Sequence, residues 1–459
     1  MRRRRFCVCG FLLVGCDAEP PEIGAPRLDG SIVDASEADG SVRDGSTFDA
    51  VAPRLDASQV EGGPATDGAV DASKLLDAAL SFPDATDAAM TPVQDAGVDW
   101  TYWVKNRGEA RSVAVGLDGS VHVACTRRIS DALTRSWHVQ LNSDGELLGN
   151  SQLTDGGTPF ENTQVNAVVL DMQGNAYFAG SYAGPQRYTA FVRRRNADLN
   201  WGWHHSWAEE LSRIDAMTLD TAGRLVAVGE IYTESFIGPL VIERRLVTGA
   251  VDLYVEPPEL ANHFPLSVVT DADGNIYIAG YQYELFGEFP TSSATRGFFA
   301  KVSATGTHLY TEYLGKEASC DSPLQTRASA ITLDSGGSLW VAGLDCDSEV
   351  FLRKFVAATA EPLLNADAAI ESGQNQVLGS SVASLIASSQ RIRIAGVWTI
   401  AGVTAPALRE LALGGEPLGG WMGEGSLEPQ SAANAGGATV LTGKASAPDA
   451  FVQRVTLVP

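Results

Sequence analysis

The sequence predicts an all-β fold, a seven-bladed β-propeller preceded by a disordered acidic linker, and three observations predict it. A hairpin signature recurs seven times, at spacings of roughly 50 residues, over 99–459: an apolar alternating run, a turn, and a second run that most often closes on Gly. A third apolar run follows every hairpin, so each copy holds a sheet with a face to bury. No long helical periodicity occurs in that span, which argues against an α/β enzyme core or a helical solenoid.

In chain order, the first fifteen residues read as an export signal. Arg2 to Arg5 form a basic segment, and Phe6 to Val14 form an apolar stretch far short of the roughly 20 residues that span a bilayer. Leu13-Val14-Gly15-Cys16 closes it. This run resembles the lipobox of bacterial lipoproteins, which implies that Cys16 carries diacylglycerol and, after cleavage, an acylated amino terminus. The alternative is an ordinary signal peptide with an incidental cysteine. Three acyl chains at roughly 0.8 kcal/mol per buried methylene would make release from the membrane negligible. Asp17 resembles an inner-membrane retention signal of enteric bacteria, a rule many other bacteria do not follow. The expected address is an exported chain, lipid-anchored to the envelope at the outer membrane or cell surface.

Residues 16–98 read as a tether. They carry 17 acids against four bases, in units such as Asp29-Gly30-Ser31 and Asp87-Ala88-Ala89, and only Phe48 and Phe82 are aromatic. Such a chain buries too little apolar surface to offset the entropy of ordering. As a flexible coil it would span roughly 50 Å, lengthened by charge repulsion. Spaced aspartates also invite a calcium reading, but the spacing is irregular and no Glu follows at a fixed offset, so a solvated linker is favoured. The net charge of −23 argues against nucleic acid or anionic headgroups as partners.

The seven hairpins end at Cys125, Gly180, Gly229, Gly280, Gly343, Gly396 and Gly443. Third runs follow at 137–141, 190–192, 240–242, 298–302, 350–355, 407–411 and 450–455, and most copies add a looser, often aromatic fourth run, such as Trp201-Gly202-Trp203. The last copy stops before its fourth run. Trp100-Thr101-Tyr102-Trp103 stands ahead of the first hairpin, so it is expected to close the ring by pairing beside Ala450 to Val455.

Residues 271–280, Asp-Ala-Asp-Gly-Asn-Ile-Tyr-Ile-Ala-Gly, with Phe298 to Gly306 behind them, resemble the consensus of the bacterial β-propeller repeat family, whose members form seven-bladed propellers. Copy six departs most, lacking the Asp and Gly of the turn, and copy one has Cys125 where the others have Gly. The resemblance implies extracellular display and no shared activity. The acidic tract resembles those of surface lipoproteins from soil bacteria such as the myxobacteria.

Among the cysteines left after processing, Cys320 enters the fifth hairpin and Cys346 leaves it. Antiparallel strands put both at one end, and an oxidising compartment favours a disulfide. Cys125 reads as a buried small hydrophobe. No Cys-x-x-Cys, His-Glu-x-x-His, Gly-x-Ser-x-Gly or phosphate-cradling Gly-Lys loop occurs, so no catalytic residue, metal or cofactor is predicted. His204 and His205, with Glu209 and Glu210, form the densest polar cluster, read as an exposed loop between copies two and three. Tyr281, Tyr283, Phe286 and Phe289 read as aromatics on a second loop, suited to stacking on sugars or gripping a protein, or else to a small local core. Both loops belong to the face where the inner strands begin. Those strands read mostly apolar, with Asp215 the one charged residue placed near a start. The sequence therefore predicts a monomeric, membrane-anchored binding scaffold without catalysis, for a protein or glycan ligand. A propeller-type enzyme acting on envelope or extracellular polysaccharide is the alternative.

Overall fold

The computed structural model describes residues 97–457 except for short stretches between strands, the longest at 315–325 and 366–377. The export signal, Cys16 and the tether lie outside the described residues. The described chain forms seven four-stranded antiparallel sheets and one two-stranded ribbon, Thr154–Asp155 with Thr158–Pro159. Each sheet is a blade, and its strands run in sequence from the innermost outward in blades one to six. The inner strands are Gly108–Val115, Gln164–Leu170, Arg213–Leu219, His263–Thr270, Arg327–Leu333, Leu378–Ala387 and Leu427–Ala435. Each packs against the next, and the seventh packs back on the first. The fold is the seven-bladed propeller that the repeats predict.

Blade seven takes its outermost strand from the other end of the chain. Gly97–Val104 pairs antiparallel with Ala450–Thr456, in a register that sets Trp100 opposite Arg454 and Trp103 opposite Phe451. The strand starts at Gly97, ahead of the expected boundary at 99.

Seven apolar clusters fill the seven gaps between consecutive blades, one per gap. A blade clasped on both sides buries both faces of its middle strands. Leu225–Glu230 and Leu240–Arg245 are therefore buried at every position, while the outer strand Val251–Val255 keeps exposed positions.

The repeat consensus has a specific chemistry. Oδ1 of Asp271 accepts the backbone N–H groups of Asp273 and Asn275, and Oδ2 accepts Asn275 Nδ2 and the Tyr277 hydroxyl at 2.8 and 2.9 Å. Gly274 between them has φ +80°, a conformation glycine adopts without a Cβ clash. Asp171 and Tyr177 repeat the arrangement, and in blade five Trp340 Nε1 donates to Asp334 Oδ2 at 3.0 Å. The lysine of the third strand lies over that aromatic ring and reaches the next blade. Lys301 Nζ sits 5.0 Å from the Tyr277 centroid and donates to the Ala357 carbonyl, and Lys354 Nζ donates to the Leu413 carbonyl. Arg194, Arg244 and Arg454 make the equivalent reach to Val247, Ala304 and Ser143. The last of these ties blade seven to blade one.

Blades one and two are joined differently, by a buried chain of side chains. Arg195 can only donate, so its Nη1 makes His138 Nδ1 an acceptor at 2.9 Å. His138 Nε2 then donates to His122 Nδ1 at 3.1 Å, His122 Nε2 to Ser120 Oγ at 3.3 Å, and Ser120 Oγ to Asp118 Oδ1 at 2.7 Å. The two rings stack at 5.0 Å. Burial pushes the His122 imidazole down to about 4, and burial, with His122 and Arg195 nearby, holds His138 well below the usual range.

Candidate ligand-binding face

Every inner strand carries a register shift near its start. In blades one, two and three it falls between Ala110 and Ser112, Val165 and Ala167, and Ile214 and Ala216, and in blades four, five and seven between Pro265 and Ser267, Ala328 and Ala330, and Pro429 and Ser431. Blade six has two such shifts. A bulge leaves one residue unpaired and re-aims its side chain. The residues so released in blades one to three are Arg111, Asn166 and Asp215, all partly buried.

The bulge also explains the glycine that ends six of the seven hairpins. A Cβ on Gly280 would lie 1.9 Å from the Phe264 carbonyl oxygen, and one on Gly343 would lie 1.8 Å from that of Arg327. The inner strand passes too close for any side chain there.

Around the mouth of the ring, on the upper face where the inner strands begin, these residues form a charged arc. The Arg111 guanidinium holds Glu109 Oε2 at 2.8 and 3.0 Å and donates to Asn166 Oδ1 at 3.3 Å. Asn166 Nδ2 donates to the Ile214 carbonyl at 2.8 Å, linking blade two to blade three. Arg213 pairs with Asp215 at 2.6 Å and with Glu230 at 2.9 Å. Lys444 and Glu428 of blade seven pair at 2.9 Å. In blade four, Tyr281 stacks on Phe264 at 5.0 Å and 11°, and the Arg327 guanidinium of blade five covers its ring at 5.0 Å.

Three groups of this arc keep unused hydrogen-bonding capacity among the described residues. Asp215 Oδ2 is buried without a hydrogen-bond partner, on a side chain 10% exposed. The Tyr281 hydroxyl has no hydrogen bond, and the exposed Arg327 has no carboxylate partner among the described residues. Burial pushes the Asp215 carboxyl up to about 7, opposed by Arg213 and reinforced by Glu230, with Arg111 also pulling it down. Burial likewise raises Tyr281, against the pull of Arg327.

The residues singled out from sequence fall in several places. Tyr281 belongs to this arc, but with Phe264 on one side and Arg327 on the other its ring has no free face for a sugar. Tyr281, Tyr283 and Phe286 are not in a loop. They extend the second strand of blade four, Ile276–Phe286, which pairs with Ser292–Val302 through Phe286 opposite Ser292. The two turn-like residues Gly297 and Gly280 sit inside that long hairpin, which is why the segment reads as a loop.

His204 and His205 are not in a loop either, but in Trp201–Trp207, the outer strand of blade two. Successive strand residues face opposite sides, so the pair cannot ligate one ion together. His205 packs edge-on against Trp207 at 4.5 Å, and its imidazole is pushed down to about 4 by burial, with Arg245 and His204 adding to the effect. Among the described residues no group of three or more His, Cys, Asp or Glu could hold a metal ion. Cys125 is buried, and burial raises its thiol to about 12, so it is unreactive. Glu209, Glu210, Phe289, Cys320 and Cys346 lie outside the described residues.

The reading that the strand starts are apolar apart from Asp215 is corrected. Glu109, Arg111, Gln164, Asn166, Arg213, Arg327 and Glu428 all stand at starts. Each precedes the alternating run by which the strands are recognised, because the bulge breaks the alternation just behind them. The signal was present as a polar pair ahead of every apolar run in blades one to three.

No protein-family model and no curated protein matches the chain. Solved structures do. A chain in a crystal structure of the mitotic checkpoint complex is 13% identical, with the match covering 82% of this chain and 97% of that one at a TM-score of 0.50. A β-propeller domain from Myceliophteria thermophila is 11% identical over 80% of this chain and all (100%) of that one, at 0.47. A protein from Lactobacillus plantarum is 16% identical over 67% and 83%, at 0.44. At 13% identity, the likeness to the first of these is one of fold alone.

Proposed function

We propose that this chain is an exported lipoprotein, anchored through Cys16, whose propeller is a binding scaffold that takes a protein or glycan ligand at the mouth of its ring. The observation that carries this reading is the clustering of Asp215 Oδ2, the Tyr281 hydroxyl and Arg327, polar groups from adjacent blades that keep unused hydrogen-bonding capacity among the described residues. Buried polar groups are ordinarily satisfied, and a set left open on one face is what a ligand would complete. Ligand sites combine such a few convergent polar groups with a rigid surround, which the ring of blades supplies.

The test is to present the purified protein with glycan arrays and envelope extracts. Saturable binding that is lost in Arg327→Gln and Asp215→Asn, with no turnover of the bound material, supports the scaffold. Metabolic labelling with a fatty acid, lost in Cys16→Ser, tests the anchor.

One observation favours a second reading, an enzyme acting on polysaccharide. A carboxyl held near neutral pH beside a second carboxylate, Glu230, suits general acid–base work. Turnover of a bound glycan, abolished by Asp215→Asn, would replace the scaffold reading with this one.

A further inference from the structure

Ring closure creates a second site, away from the mouth. A cleft of about 340 Å³ lies at the seam between the amino-terminal strand and blade one, walled by Tyr102 and Trp137, with Arg127 and Asn150 as its polar lining. Its volume falls within the range of small-ligand sites.

The charges of the seam are one-sided. Arg127 stands directly opposite Arg135 in the pairing of the second and third strands of blade one. Like charges placed opposite each other on a sheet destabilise it. Here neither arginine has an ion pair or hydrogen bond among the described residues, and Nε of each is buried without a partner. The Arg127 guanidinium lies over the Trp137 ring, 5.5 Å from its centroid. In a chain with 56 acidic residues against 33 basic ones, this cleft has no acid in its lining. Guanidinium groups are matched to carboxylates and phosphates, and aromatic walls to a flat or ring-shaped body.

We propose that the seam cleft binds a small ring-bearing organic anion, its acidic group on Arg127 and its ring against Tyr102 and Trp137. Because Tyr102 comes from the amino-terminal strand, the site exists only in the closed ring. It is independent of the mouth.

Tryptophan fluorescence of the full chain provides the readout, since Trp137 lines the cleft. The probes are benzoate, phenyl phosphate and glucuronate, with benzyl alcohol and glucose as their neutral counterparts. A saturable change is expected with at least one anionic probe, weaker by at least about tenfold with its neutral counterpart and in Arg127→Gln. The pattern among the three probes tells carboxylate from phosphate and aromatic ring from sugar. Arg127→Gln relieves a like-charge pair and is expected to melt no lower than the parent. Arg327→Gln, at the mouth, leaves binding at the cleft unchanged. Equal response to neutral and anionic probes, no saturable response to any of them, or full binding by a folded Arg127→Gln protein would each overturn the proposal.

Discussion

Gly280 shows how one missing atom shapes a blade. With the Phe264 carbonyl 1.9 Å from where its Cβ would be, Gly280→Ala must push two strands apart, and a cost of about 1–3 kcal/mol is expected from overpacking. Urea unfolding checks this, with Cys125→Ala as the contrast: blade one already accommodates a Cβ at the equivalent position, so that variant removes only a small buried group. His122 supplies a second expectation. Its folded-state value of about 4 lies below the ordinary 6.5, so the unfolded chain binds the extra proton and stability falls as pH drops through that window. His138 acts in the same direction. Asp215, raised to about 7, acts in the opposite direction, since its buried charge costs stability as pH rises. The two effects overlap, so the parent protein alone would conceal them. The stability of the parent relative to His122→Asn should fall between pH 6.5 and 4, and relative to Asp215→Asn it should fall between pH 4 and 7. A flat difference in either series would remove the corresponding account.

At the scale of the strand and blade, the aromatic-lysine staple separates two kinds of energy. Burial of a Phe or Leu side chain contributes roughly 1.5–3 kcal/mol, and each gap between blades contains many such groups, so apolar packing dominates cohesion. The staple instead fixes how one blade registers on the next. Asp334 is buried beneath Trp340, and Lys354 Nζ lies 3.1 Å from its Oδ2. Lys354→Met should cost about 2–3 kcal/mol, below the full cost of unpairing a buried charge because Trp340 and two backbone N–H groups still hold the carboxylate. Lys354→Arg should recover part of it, as Arg194 and Arg244 make the same reach in other blades. Hairpins were legible from sequence because turn residues and alternation are local. The bulges were not, since a bulge is defined by the partner strand, and with them went the arc of polar residues at the strand starts. His204 and Tyr281 were misplaced for a related reason: outer strands and hairpin extensions tolerate polar and aromatic residues that also suit loops.

The whole ring depends on a pairing between the two ends of the described chain. Removing 97–104 would uncover the apolar cluster that Trp100, Tyr102 and Val104 complete against blade one. A lower melting temperature and binding of a hydrophobic dye are expected, and unchanged melting would show that blade seven stands on three strands. The same truncation should abolish binding at the seam cleft while leaving the mouth occupied. The sevenfold plan was legible because repeats average out local noise. The closing strand could be anticipated because one copy lacked what the other six had.

Gly97 lies opposite Thr456, at the end of the third strand, so it emerges on the lower side of the ring, away from the polar mouth. A tug on the chain at that residue, resisted by something held above, would run along the strand axis. The pairs from Gly97 with Thr456 to Val104 with Ala450 would then bear the load together in shear, where a peeling geometry would break them singly.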